Sequence, residues 1–162
     1  MKLITIFLVS FVTHGFAADD CTLDIDAIKG VLDRSSKDIK TFHPGKIHDR
    51  SFSESMLMKK GWKVTYETGG CAHIGLSFTY EDFALKPLIE KSVIIETATK
   101  LLNETPTLNA TNLSILKNAL IEAKTSNDKL VDKQLRLPCG DANCAVEISE
   151  KNKLKISYDF AL

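Results

Sequence analysis

The chain has 162 residues, and its 21 Lys and Arg are balanced by 21 Asp and Glu. A neutral balance of scattered charges supplies no electrostatic footprint for nucleic acid or for an anionic membrane surface. The length suits one ordinary domain able to bury a core of its own, and no internal repeat, linker or low-complexity stretch divides it.

The first element in chain order is an export signal. Met1 and Lys2 give a short positive start, Leu3 to Val12 is almost wholly apolar, and Gly15-Phe16-Ala17 supplies small residues where a signal peptidase needs them. The apolar run is well short of the roughly 20 residues that span a bilayer. Cleavage is expected after Ala17 or Ala18, which makes residues 1–17 a signal peptide and residues 18–162 a single exported domain. Asp19 and Asp20 precede Cys21 and do not suit lipid attachment there. No later apolar run is long enough to cross a membrane, so no span is expected after cleavage, and the protein is expected to be secreted or periplasmic.

Asp24 to Lys40 reads as a helix, with Ile25, Ile28, Val31, Leu32 and Ile39 near one face and Asp24 able to cap it. Phe42 to Met56 reads as a loop, because His43-Pro44-Gly45 and three spaced serines interrupt it. Lys59 to Tyr80 is the clearest hairpin. Trp62, Val64 and Tyr66 alternate with polar residues, as do Ile74, Leu76, Phe78 and Tyr80, and Thr68-Gly69-Gly70 lies between. Such strands have one apolar face and one polar face.

Pro87 suits the first turn of a helix running from Leu88 to Leu102. Its apolar residues include Ile89 and Val93 nearly opposite the main stripe. A further helix is expected over Thr111 to Thr125, with Leu113, Leu116, Ala119, Leu120 and Ala123 on one side. Strands return with Leu135 and Leu137, Ala145 to Ser149, and Leu154 to Phe160. This order predicts an α+β fold: an antiparallel sheet of four to five strands with about three helices packed mainly on one face.

Cys21, Cys71, Cys139 and Cys144 make an even set in an exported chain and read as two disulfides. Cys139–Cys144 with Cys21–Cys71 is the favoured pairing. A metal reading is weaker, because the four-residue gap is wide for paired zinc thiolates and no Cys-x-x-Cys element exists.

The residues carry little catalytic vocabulary. There is no Gly-x-Ser-x-Gly elbow and no phosphate loop. His43, His48 and His73 are the only histidines left after cleavage, and they are the candidates for acid–base or metal chemistry. None has His-x-x-x-His spacing. His43 and His48 read as loop residues, and His73 as a residue of the hairpin's polar face. Asn103, Asn109 and Asn112 each begin an Asn-x-Ser/Thr pattern. The expectation is an exported, non-catalytic binding protein without a cofactor or metal, with a protein as its partner, of the inhibitor or immunity type. The alternatives are a small hydrolase or metal-dependent enzyme using His73 with His43 or His48, and an envelope protein binding a small molecule or lipid.

Overall fold

The computed structural model describes residues 30–48, 51–69, 73–83, 90–108, 111–149 and 153–161. The fold is α+β, with one antiparallel sheet of eight strands and two helices. The strands are β1 (Ile39–His48), β2 (Ser51–Met58), β3 (Lys63–Gly69), β4 (His73–Glu81), β5 (Leu130–Val131), β6 (Gln134–Leu137), β7 (Asn143–Ser149) and β8 (Lys153–Ala161). The helices α1 (Lys91–Glu104) and α2 (Thr111–Ala123) lie between β4 and β5 in the chain.

The strand order is β1-β2-β3-β4-β8-β7-β6-β5. Each half is a four-stranded meander running from the sheet's edge to its centre, and β4 pairs with β8 where the halves meet. The two halves thus share a meander topology, although no sequence repeat marks it.

Alternation along each strand sends one set of side chains to each face. On the core face, Met56, Val64, Tyr80 and Leu154 follow one another across β2, β3, β4 and β8. The neighbouring row is Glu54, Tyr66, Phe78, Ile156, Val146 and Leu135. Trp62 packs on Tyr80 with ring centroids 5.8 Å apart, and Tyr66 packs on Phe78 at 5.3 Å. The helices join these rows in one core through Ile94, Ile95, Ala98 and Leu102 of α1 and Leu116 and Leu120 of α2. Between β2 and β3, the Met58 N–H donates to Trp62 O at 2.8 Å, and Gly61 takes φ +95°, a left-handed conformation that glycine adopts without strain.

Several expectations are corrected. Among the described residues the sheet has eight strands where four to five were expected, and there are two helices where about three were expected. The proposed helix from Asp24 to Lys40 is absent over its described part: residues 30–38 hold a bridge at Leu32 and turns, and β1 begins at Ile39. The proposed loop Phe42 to Met56 lies largely in β1 and β2. Long-range pairing accounts for both, since Phe42 sits opposite Met56 in the β1–β2 ladder. Pro44 and Gly45, which read as turn residues, occupy a register shift between His43 and Lys46. There the Phe52 ring fills the space that a side chain on Gly45 would need.

The hairpin expected over Lys59 to Tyr80 is present as β3 and β4, the second central helix and the C-terminal strands are present, and α1 is described over Lys91–Glu104 where a helix over Leu88 to Leu102 was expected. Among the described residues there is one disulfide, Cys139–Cys144, with Cα atoms 6.0 Å apart, and no described cysteine is free. Cys21, Cys71 and the expected signal peptide lie outside the described residues. Among the described residues, no helix is long and apolar enough to cross a membrane.

Burial pushes the Tyr80 hydroxyl well above the ordinary tyrosine range, against the opposing pull of its 3.0 Å hydrogen bond with Thr105 Oγ1. Tyr66 is raised as well, first by burial and further by the Glu54 charge, while a hydrogen bond with Thr68 opposes the rise. Both folded values exceed the unfolded value of 10.0. Their contribution to stability is therefore complete below pH 10 and is lost as pH rises above it. Urea unfolding at a series of alkaline pH values is expected to show stability falling less steeply in Tyr80→Phe than in the wild type. Equal slopes would show that Tyr80 ionises without unfolding.

Candidate functional site

The second face of the sheet is polar, and its composition follows from the same alternation. One row runs His43, Ser55, Thr65, Thr79, Lys155, Glu147 and Gln134. The next is Lys46, Ser53, Glu67, Ser77, Ser157, Ala145 and Arg136. The third is His48, Ser51, Gly69, Gly75, Asp159 and Asn143. Short hydroxyl residues dominate its middle, and charges stand around them.

At one end of this face, Glu81 bridges two lysines. Its carboxylate lies 2.7 Å from Lys153 Nζ and 3.6 Å from Lys63 Nζ. The hydrogen bond from Lys153 holds the Glu81 carboxyl below the usual carboxylate range, and the charges of both lysines add to this against partial burial.

At the other end, the glycines of the third row open a trough. Gly69 and Gly75 sit opposite each other in the β3–β4 ladder, and Gly75 sits opposite Asp159 in the β4–β8 ladder. Two adjacent strands thus carry no side chain at the same height. The resulting hollow, about 510 Å³ in volume, is walled by Ser51, Glu67, Ser77, Ser157 and Asp159, and Lys155 stands at its far end. The Asp159 Oδ1 atom is buried and has no hydrogen-bond partner. Such an oxygen loses its hydration without replacement, which makes it a focus for any donor that can reach it.

A second hollow, about 720 Å³, lies between the start of α1 and the end of α2. Lys91 beside it is already engaged, donating from Nζ to Ser126 O and to Ser126 Oγ at 3.1 Å.

The core face carries one charged side chain of note. Glu54 is buried, and its Oε1 accepts the Leu32 N–H at 2.8 Å. A side chain on Gly30 would run into the same carboxylate. Glu54 therefore clamps the segment that leads into β1.

The histidines are dispersed. His43 and His48 are both exposed and lie on the edge strand β1, about 15 Å apart along it. His73 begins β4, three strands away in the sheet, or about 14 Å. Neither His43 nor His48 walls the trough. Among the described residues, no three His, Cys, Asp or Glu side chains gather in a way that could hold a metal ion. Sequence reasoning missed Gly75 and Asp159. The signal available was Gly75 itself, a glycine inside an otherwise regular alternation of Ile74, Leu76 and Phe78. Compared with known protein families, with curated proteins and with solved structures, the chain finds no match in any of the three.

Proposed function

We propose that the chain is an exported, non-catalytic binding protein, and that it docks a protein partner on the polar face of its sheet, in the manner of an inhibitor or immunity protein. The observation that carries this reading is the division of the sheet. One face is an apolar core under both helices, and the other carries hydroxyls and charges of both signs around a glycine-floored trough. Polar, rigidly held surfaces of this kind recognise partners by shape and hydrogen bonding. In this proposal the signal peptide ends at Ala17 or Ala18, the protein is secreted or periplasmic, and Cys21–Cys71 is a second disulfide.

Native mass spectrometry of the protein from its host's exported fraction tests the reading. A complex with a second polypeptide is expected, and charge reversal on the polar face by Glu67→Arg is expected to dissociate it. Val131→Lys, at the far edge of the sheet, is expected to leave it intact. Finding only the bare processed chain, or a complex indifferent to Glu67→Arg, would overturn the proposal.

A further inference from the structure

We infer that the trough over Gly75 is a subsite for a basic side chain, the ammonium or guanidinium of a lysine or arginine on the protein partner. The inference rests on the proposed binding function and names the chemistry of its anchor.

Gly75 is the first observation. It lies in a strand at the centre of the sheet, where glycine is unfavourable because it adds backbone entropy and packs nothing. The fold itself does not demand glycine there. Its φ is not positive. A Cβ would stand 3.7 Å from Gly69 O and 3.8 Å from both Asp159 Oδ1 and Tyr158 O, all ordinary contact distances. What the missing side chain leaves is room for another group to approach the backbone.

Charge is the second observation. The glycine end of the trough is bordered by Glu67 and Asp159, and Asp159 Oδ1 lacks a donor. Lys155 does not neutralise that end. It sits four residues before Asp159 on β8, about 13 Å along the strand, and directly opposite Glu147. The serines add hydroxyls that can donate or accept, so they accommodate a cation without repelling it. A site with surplus carboxylate, hydroxyl walls and a bare floor selects a flat or slender cationic group over an anion.

The test uses the protein as secreted and two small probes, Nα-acetyl-arginine methylamide and its neutral isostere Nα-acetyl-citrulline methylamide. In amide-resolved NMR titrations, the arginine probe is expected to shift Gly69, Gly75, Ser157 and Asp159, and the citrulline probe is not. Gly75→Ala fills the floor and Asp159→Asn removes the charge, and each is expected to weaken the arginine probe by at least about tenfold, the scale of one charge-assisted hydrogen bond. Gly75→Ala is expected to keep the wild-type Tm. Should it unfold, Asp159→Asn carries the comparison alone. Equal shifts from citrulline, no shifts at these amides, or unchanged affinity in the variants would overturn the inference. If the variants still bind the exported partner at full strength, the subsite falls while the binding function stands. If the arginine probe binds as expected and no partner complex exists, the subsite stands and the binding function falls.

Discussion

Replacing Phe78 by alanine is expected to destabilise the protein by about 3–5 kcal/mol, the usual cost of removing a buried aromatic ring from a core that cannot collapse around the gap. Phe78 is 1% exposed and sits at the join of the two meanders, between Tyr66 on β3 and Ile156 on β8. Its ring lies 5.3 Å from that of Tyr66. Against a total stability of about 5–15 kcal/mol for a domain of this kind, the loss is large. Urea unfolding is the measurement, with Ile121→Ala as the control. Ile121 is 58% exposed, and its truncation is expected to change stability by no more than about 0.5 kcal/mol. Similar losses for the two variants would show that the sheet's centre is not packed through Phe78.

Glu54 is the second residue whose removal is expected to cost heavily. Glu54→Ala strands the Leu32 N–H without its acceptor at a buried site, a loss of about 1–3 kcal/mol before any cavity is counted. Glu54→Gln keeps an amide oxygen in place and removes the charge, so a smaller loss is expected. Hydrogen exchange separates the hydrogen bond from general destabilisation. The Leu32 amide is expected to lose protection in Glu54→Ala well beyond the core amides of β4, and to keep most of it in Glu54→Gln. Uniform loss across both regions would mean that Glu54 does not clamp the entry to β1. Tyr66 gives a second readout. The Glu54 charge raises its proton affinity, so Glu54→Gln is expected to lower it.

Glu54 also explains why β2 was hard to read. Its core-facing residues are Phe52, Glu54, Met56 and Met58, an alternation broken by a charge. A glutamate at a core position argues for a loop until the chain brings it the Leu32 amide, 22 residues away in sequence. β1 was obscured differently. As an edge strand it turns only Ile39 and Phe42 even partly inward, and it carries Pro44 and Gly45 at its bulge. Lysine, proline and a bulge suit an edge that must not pair further, and they also erase the signature of a strand.

The trough was illegible for a related reason. Gly69 and Gly75 meet within one hairpin, but Asp159 is far from both in sequence and joins them only when β8 pairs with β4.

By itself the sequence determined what local periodicity and spacing can encode. That covers the two-faced hairpin from Lys63 to Glu81, the amphipathic stripes of α1 and α2, the alternating β8, and the short loop that Cys139 and Cys144 close. In each case the pattern arises within one element or between immediate neighbours. Only the tertiary structure decided the number of strands, the meeting of two meanders along β4 and β8, the burial of Glu54 and the glycine floor of the trough. Those depend on contacts between distant segments, where the free energy of pairing overrides local propensity and one residue's partner is set by another part of the chain.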